Sequence, residues 1–209
     1  ELEAAARSGA NIMPPSIACA KAGVTTGEWA DALRRVFGQY RAPTGLAKVA
    51  RLSNDPGIVA VRDEVAALSA RLGRPLTFLV AKPGLDGHSN GAEQIATRAR
   101  EVGMNALYDG IRFTPAEIAE QAAKSGAHVV GLSILSGSHV ALAEAVLAEL
   151  RQRGLDVPVV AGGIIPPEDA ARLKAAGIAA VYTPKDFELT GIMRGVVGIA
   201  AAAAGEKAA

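Results

Sequence analysis

From Leu76 onward, short apolar runs alternate with amphipathic stretches. The apolar runs cover residues 76–82, 105–109, 128–134, 157–162 and 179–183. Uninterrupted apolar runs of this length, bounded by polar or glycine-rich turns, are typical of strands that are buried on both faces. The stretches that follow them, at residues 91–102, 115–125, 139–153, 167–176 and 187–204, predict helices. Five strand–helix repeats predict a parallel sheet covered by helices on both sides.

The helix boundaries in this region carry specific signals. Thr114, Pro115 and Glu117 supply an N-cap, a proline at the first helical position and a capping-box glutamate, and Gly126 ends the helix. Connections between parallel strands are right-handed. We therefore predict an α/β fold with a doubly wound, five-stranded parallel sheet of the flavodoxin-like or Rossmann-like class, preceded by an N-terminal helical segment.

The first 75 residues carry helix signals and no strand signal. The predicted helices cover residues 1–8, 26–40 and 56–72. A capping box formed by Thr25 and Glu28 begins the second of them. One side of that helix carries the apolar residues Trp29, Leu33, Val36, Phe37 and Tyr40. We expect this side to pack against the core or a neighbouring domain; the alternative is that it docks on a domain outside this chain.

Composition excludes several classes of function. The chain has 22 basic and 21 acidic residues, a net charge of +1 and no dense Lys/Arg run, which argues against a nucleic-acid partner. Its single cysteine, Cys19, excludes internal disulfides and a multi-cysteine metal site, and favours a reducing compartment. No apolar stretch reaches the roughly 20 residues that a membrane span needs, and the start shows no signal-peptide pattern. We predict a cytoplasmic protein without a membrane partner.

The stretch KPGLDGHSNG, residues 82–91, follows the first predicted strand and is unusual in its chemistry. Its glycines fit neither a Walker loop nor a dinucleotide-binding fingerprint. Asp86 lies two residues before His88 on a loop at the edge of the sheet where ligands bind. A neutral imidazole is a good metal ligand, and a carboxylate on its other ring nitrogen sets its tautomer. Lys82 is placed to hold that carboxylate. The stretch therefore predicts a metal-ligating histidine with its supporting groups.

The remaining histidines are poor candidates for a shared metal site. The chain has three histidines and one cysteine, too few to complete the coordination of a bare metal ion. We therefore expect the metal to arrive in a macrocycle with one open axial position. His139 is the rival ligand near the same edge, but it has no nearby aspartate, and we expect it at the surface or beside the cofactor. His128 begins a strand at the opposite edge and is expected to be structural.

Three motifs together resemble the cobalamin-binding domain shared by adenosylcobalamin-dependent mutases, methionine synthase and corrinoid carrier proteins. They are Asp86-x-His88-x-x-Gly91, Ser133-x-Leu135 and Gly162-Gly163, at the ends of the first, third and fourth predicted strands. The resemblance implies that His88 replaces the cofactor's own dimethylbenzimidazole as the axial ligand of cobalt. It implies that Asp86 hydrogen-bonds His88 and that Lys82 pairs with Asp86.

The resemblance also implies a slot for the displaced nucleotide tail, between the sheet and a helix. Gly91 would admit the tail, Ser133 would hydrogen-bond inside the slot and Leu135 would line it. Gly162 and Gly163 would leave room beside it. Gly87 and Thr183 complete the expected cofactor-binding set, with Thr183 approaching the nucleotide tail. Simpler explanations remain for three of these features: a turn for Asp86, a backbone hydrogen bond for Ser133 and a strand-to-loop turn for the glycine pair.

The branch of the family is indicated by longer strings. Residues 11–45, KPGLDGHSNGAEQIA and SILSGSH resemble the ethylmalonyl-CoA mutases of the methylmalonyl-CoA mutase family. The resemblance implies that residues 1–45 are the end of a substrate-binding barrel domain with its helical flank. Residues 46–75 would be a linker and a helix, and residues 76–209 the cobalamin-binding domain. The chain begins inside a predicted helix, which suggests the C-terminal part of a longer protein.

The activity implied by this resemblance is that of an isomerase. Such enzymes use adenosylcobalamin for a radical carbon-skeleton rearrangement of an acyl-CoA, here of the ethylmalonyl-CoA/methylsuccinyl-CoA type, and the full enzyme is expected to be a homodimer. The barrel that would bind the acyl-CoA is missing, so we expect no catalytic residues here and no turnover by these 209 residues alone.

Two other kinds of protein share parts of this pattern. The first is a stand-alone corrinoid carrier or a cobalamin-dependent sensor module, whose N-terminal helices would cap the corrin; the second is a flavodoxin-like domain with a structural role. The stretch YTPKDF, residues 182–187, also resembles the fifth strand end of response-regulator receivers. Receivers need an aspartate at the end of the third strand, where this chain has Ser133, and this counts against phosphotransfer.

Overall fold

The computed structural model describes residues 1–38 and 54–206, and the chain divides into two compact units, Glu1–Val49 and Ala50–Ala209. The first unit contains the helices α1 (Leu2–Ser8), α2 (Met13–Lys21) and α3 (Thr26–Phe37). Sequence patterns predicted α1 and α3 but not α2. The reason is that Pro14 and Pro15 suggest a turn, although proline is well tolerated in the first turn of a helix.

Polar contacts tie the three helices of the first unit together. The indole Nε1 of Trp29 donates to Ser16 Oγ at 3.0 Å, joining α3 to α2, and Arg35 Nε donates to Glu3 at 2.8 Å, joining α3 to α1. Among residues 1–38, few apolar side chains are buried, and Phe37 is 68% exposed. Tyr40, the predicted linker and the predicted boundary at residues 45–46 lie outside the described residues.

The second unit contains a parallel sheet of five strands. They are β1 (Thr77–Ala81), β2 (Asn105–Leu107), β3 (Val129–Ser133), β4 (Val159–Gly162) and β5 (Ile178–Tyr182), in the spatial order β2-β1-β3-β4-β5. All neighbouring strands are parallel. This is the flavodoxin-like order, so the predicted doubly wound fold is confirmed. Each observed strand lies at its predicted apolar run.

Within residues 54–206, six helices cover the two faces of this sheet. They are α4 (Pro56–Leu72), α5 (Asn90–Glu101), α6 (Pro115–Ser125), α7 (His139–Gln152), α8 (Pro167–Ala176) and α9 (Leu189–Glu206). One apolar cluster joins α4, α5 and α9 to one face, and a second cluster joins α6, α7 and α8 to the other. Helix α4 therefore packs into the core of this unit. No helix in the described parts of the chain has the length and apolarity to cross a membrane.

The strand order places two loops side by side. The order in which strands are added to the sheet reverses between β1 and β3: β2 lies on the far side of β1, whereas β4 and β5 follow on the far side of β3. Because β1 and β3 are parallel neighbours, the loops after both strands meet at the carboxyl edge. The loop after β1 carries Asp86 and His88, and the loop after β3 carries Leu135. The fold therefore brings together groups that are about 50 residues apart in sequence.

Candidate functional site

The loop after β1 is anchored by backbone hydrogen bonds. The Gly84 N–H donates to the Phe113 carbonyl at 2.9 Å, and the Phe113 N–H donates to the Lys82 carbonyl at 3.1 Å. Gly84 has a φ of 77°, and a Cβ there would lie 2.8 Å from the Leu142 side chain. This position therefore requires glycine, and the loop leaves the strand along a defined path.

Asp86 is the hub of the site. Its side chain is 3% exposed, and Oδ1 accepts from the His88 N–H at 3.0 Å and from His88 Nδ1 at 2.7 Å. Oδ2 accepts from the Leu135 N–H at 2.8 Å and from Lys82 Nζ at 3.4 Å. Asp86 is thus more than a local turn residue, because it joins the loop after β1 to the loop after β3.

The surroundings of Asp86 favour its ionised form. Burial on its own would raise the pKa of this carboxyl. The hydrogen bonds from the backbone and ring of His88, the Leu135 N–H and the charge of Lys82 outweigh burial and hold the pKa of Asp86 well below its usual range. The carboxylate is therefore charged at all pH values near neutrality and can act as a permanent acceptor for the histidine.

Lys82 supplies the balancing charge. Its side chain is fully buried, and Nζ donates to the Ser133 carbonyl at 3.0 Å as well as to Asp86. A buried ammonium is costly unless it is paired and hydrogen-bonded, and both conditions hold here. Lys82 consequently ties the end of β1 to the end of β3 beneath the loop.

His88 combines a fixed ring nitrogen with an exposed ring. Its side chain is 77% exposed although Nδ1 is held by Asp86. Because the carboxylate can only accept, Nδ1 carries a hydrogen, and in the neutral form of the ring the lone pair lies on Nε2. Within residues 1–38 and 54–206, no protein group hydrogen-bonds to that nitrogen. Nε2 is therefore available as a single, oriented metal ligand.

A cleft of about 250 Å³ lies beside this loop, between the sheet and helices α5 and α9. Six of the residues singled out in the sequence line it: Gly91, Ser133, Leu135, Gly162, Gly163 and Thr183. The others, Lys82, Asp86, Gly87 and His88, belong to the adjoining loop and strand end. The sequence motifs thus converge on one cleft and the loop next to it.

Glycines keep the cleft open in different ways. Gly163 has a φ of 156°, and a Cβ there would lie 1.9 Å from the Ile134 carbonyl oxygen, so the two backbones pass too closely for any side chain. At Gly91 the nearest atom to a Cβ would be Ser133 Oγ, at 4.0 Å. Gly91 is therefore not required by packing, and its missing side chain adds open space to the cleft.

Sequence reasoning missed several cleft residues. Phe78 and Val80 of β1, Gly131 of β3 and Tyr182 of β5 line the cleft. A Cβ on Gly131 would lie 2.7 Å from the Phe78 ring, so this glycine makes room for the aromatic wall. The only signal was their spacing of two along each strand, which puts side chains on one face but does not tell which face borders a cleft.

Two polar groups near the end of β5 have constrained surroundings. Burial, together with the nearby charge of Asp186, raises the pKa of Tyr182. The Thr183 N–H and hydroxyl both donate to Asp186 Oδ2, at 2.7 and 3.2 Å. The Thr183 hydroxyl is therefore engaged within its own turn, and a cofactor-binding role for this residue remains a prediction.

The other histidines have structural partners. His139 is buried, with Nδ1 3.1 Å from the Ser136 carbonyl and Nε2 2.9 Å from Asp169 Oδ2. The expectation of a surface position was wrong, and both of its ring nitrogens are occupied. His128 accepts from the Thr77 N–H at 2.9 Å, in agreement with a structural role. The described residues contain no cluster of three or more His, Cys, Asp or Glu that could hold a metal ion.

Comparison with known proteins extends this description. Residues 76–187 match the family model described as the B12 binding domain. The ethylmalonyl-CoA mutase of Cereibacter sphaeroides is 65% identical over 95% of this chain, and that of Methylorubrum extorquens is 59% identical over 100% of this chain. The chain spans 30% of the length of each of these relatives.

More distant similarities are also found. The methylmalonyl-CoA mutase large subunit of Streptomyces virginiae is 36% identical over 83% of this chain, which spans 24% of that protein. Among solved structures, a cobalamin-binding protein from Desulfitobacterium hafniense is similar over 87% of this chain and 91% of that one, at 19% identity and a TM-score of 0.47.

Proposed function

Because this chain belongs to the B12-binding domain family, we propose that its cleft and the adjoining loop bind cobalamin with His88 Nε2 as the axial ligand of cobalt. The observation that carries the proposal is the arrangement of His88. Its Nδ1 is held 2.7 Å from a buried carboxylate, while the ring remains 77% exposed. A carboxylate in this position makes the imidazole a better donor.

The donor set suits a metal that is already coordinated. Only one oriented histidine faces outward at this edge, and the described residues offer no cluster for a bare ion. A corrin would supply most of the metal's ligands itself and would need one protein nitrogen, which His88 would provide. Asp86 and Lys82 would hold His88 in its donor tautomer and orientation.

The cleft would hold the nucleotide tail of the cofactor. Its walls are mainly apolar, as suits a flat aromatic base, and the hydroxyl of Ser133 offers a hydrogen bond inside it. Leu135 would contact the base, and the backbone at Gly91, Gly162 and Gly163 would leave room for the tail. Gly87 would let the backbone before His88 approach the corrin closely, and Thr183 would lie at the rim.

For the whole protein we propose an acyl-CoA mutase of the ethylmalonyl-CoA/methylsuccinyl-CoA type. The identities of 65% and 59% to ethylmalonyl-CoA mutases support this branch. Adenosylcobalamin, when bound, would supply the organic radical for such a rearrangement. In this chain, residues 82–88 would seat the cofactor and set the donor strength of His88; acyl-CoA would bind to a barrel domain outside these residues.

We further propose the domain organisation that this function requires. Residues 1–45 would be the end of the barrel domain with its helical flank, residues 46–75 a linker and helix, and residues 76–209 the cobalamin-binding domain. The complete enzyme would be a cytoplasmic homodimer. These 209 residues alone would bind the cofactor and leave an acyl-CoA unchanged.

The first experiment is a visible-spectrum titration of cobalamin with the chain and with His88→Ala. We expect the unaltered chain to displace dimethylbenzimidazole and give a protein-ligand spectrum, and His88→Ala to lose it. Arg172→Gln is a suitable control because its exposed side chain lies on α8, outside the cleft. Failure of the unaltered chain to bind, or binding with the cofactor's own base retained, would refute the role of His88. A preference for methylcobalamin over adenosylcobalamin would favour a corrinoid carrier.

A further inference from the structure

His139 and Asp169 form a buried polar contact outside the groups described so far. His139 is 5% exposed and is the first residue of α7, and Asp169 lies in the first turn of α8. The Nδ1 of His139 lies 3.1 Å from the Ser136 carbonyl, and its Nε2 lies 2.9 Å from Asp169 Oδ2. A buried histidine with two specific partners needs an explanation, because an apolar residue would fill the same space at lower cost.

The two partners engage both nitrogens of this ring. The Ser136 carbonyl can only accept, so a hydrogen on Nδ1 satisfies that contact at 3.1 Å. Asp169 Oδ2 lies within hydrogen-bond distance of Nε2, at 2.9 Å. The ring is therefore held in one orientation between the loop after β3 and the first turn of α8.

This contact links the two loops that border the cleft. The loop between β3 and α7 carries Leu135, and the loop between β4 and α8 carries Gly163 and Ile164, all of which line the cleft. At the strand ends the loops are joined by the Ile134 N–H, which donates to the Gly162 carbonyl at 2.9 Å. At the helix starts they are joined by His139 and Asp169. Polar contacts thus join the β3–α7 and β4–α8 loops at both of their ends.

The β3–α7 loop also contacts Asp86. The Leu135 N–H donates to Asp86 at 2.8 Å, and Ser136, which accepts from His139, is the next residue. A shift of the His139 ring therefore moves the backbone that holds both Asp86 and one wall of the cleft. His139 can therefore affect the site through this backbone, although its own side chain does not line the cleft.

We propose that His139 and Asp169 are positioning residues that hold the β3–α7 and β4–α8 loops at the spacing the nucleotide tail of cobalamin requires. This inference rests on the proposed function. The ring acts through the Ser136 carbonyl and the first turn of α8, and it touches neither the corrin nor the tail.

The test compares two corrinoids. Cobalamin carries the nucleotide tail, whereas cobinamide has the same corrin without it. The cost of displacing the cofactor's own base is common to all variants, so the change that a variant makes in the difference between the two affinities reports on the tail. We expect His139→Gln and Asp169→Ala each to raise the dissociation constant for cobalamin about tenfold, which corresponds to about 1.4 kcal/mol. The dissociation constant for cobinamide should remain unchanged.

Two further variants separate positioning from general damage. In Asp169→Asn the amide N–H can donate to a neutral Nε2, so a hydrogen bond between residues 139 and 169 is retained. The dissociation constant for cobalamin should then stay within about threefold of that of the unaltered chain. Arg172→Gln is the matched control, because it removes an exposed 3.3 Å ion pair between the same two helices, Arg172 with Glu144. That control should bind both corrinoids normally.

Each outcome has one meaning. If the unaltered chain binds neither corrinoid, the proposed function fails. If it binds cobalamin and the His139 and Asp169 variants bind equally well, the positioning role is refuted. Equal loss for cobalamin and cobinamide, accompanied by a lower unfolding temperature, would also refute it, because that pattern indicates general destabilisation. Asp169→Ala keeps this decisive even if His139→Gln fails to fold, since the Asp169 side chain is one-third exposed.

Discussion

Replacing Asp86 with alanine should destabilise the α/β unit strongly. The carboxylate is 3% exposed and Lys82 is fully buried, so Asp86→Ala leaves an ammonium inside the protein with the Ser133 carbonyl as its one partner among the described residues. The Leu135 N–H loses its acceptor as well. Removing one partner of a buried pair costs about 3–5 kcal/mol. We expect a loss of this size in the free energy of unfolding.

A double-mutant cycle isolates the charge from the rest of the effect. Lys82→Met removes the buried ammonium while keeping most of the side-chain volume. We therefore expect the double variant Lys82→Met/Asp86→Ala to be at least as stable as Asp86→Ala alone, with a coupling of about 1–3 kcal/mol. Glu120→Ala, which breaks an exposed pair with Lys124, should lower the free energy of unfolding far less than Asp86→Ala does.

The assay is urea unfolding followed by far-UV circular dichroism, with linear extrapolation to water. Tryptophan fluorescence is unsuitable because the only tryptophan, Trp29, lies in the first unit and reports on that unit. A loss below about 1 kcal/mol for Asp86→Ala would show that Lys82 finds another partner or reaches water. If the changes in the free energy of unfolding of the two single variants add up to that of the double variant, the two charges do not stabilise each other.

Three further predictions concern neighbouring positions. Gly163→Ala should lower the free energy of unfolding by about 2 kcal/mol or more in a thermal melt, since its Cβ would meet the Ile134 carbonyl at 1.9 Å; a melt like that of the unaltered chain would contradict the close approach. Gly91→Ala should fold with unchanged or slightly higher stability but bind cobalamin more weakly, because the methyl group enters the cleft without a protein clash; unchanged affinity would exclude Gly91 from the tail site. The lowered pKa of Asp86 in the folded protein adds to the free energy of unfolding. This contribution is complete at pH values above the pKa of an unfolded aspartate, about 3.9, and is lost as the pH falls towards the lower pKa of the folded protein. Urea titrations at several acidic pH values should therefore show a smaller loss of stability for Asp86→Asn than for the unaltered chain.

Local sequence signals predicted most of the fold because each signal acts within one element. Apolar runs identified all five strands, and the capping box at Thr114 and the glycine at Gly126 bounded α6 at its observed ends. The Asp86-x-His88 spacing predicted their contact, since two residues on one turn meet whatever the rest of the chain does. Helix α2 was missed because two adjacent prolines obscure its first turn, although proline is compatible with that position.

The sequence by itself determined the five strand–helix repeats, the glycine positions and the pairing of Asp86 with His88, because these depend on chemistry within a few residues. Only the tertiary structure decided which distant groups meet. The hydrogen bond from the Leu135 N–H to Asp86 exists because β1 and β3 are neighbours, and the contact of His139 with Asp169 exists because α7 and α8 pack on the same face. Strand order and packing are set by the burial of the whole core, and no short stretch of sequence contains that information.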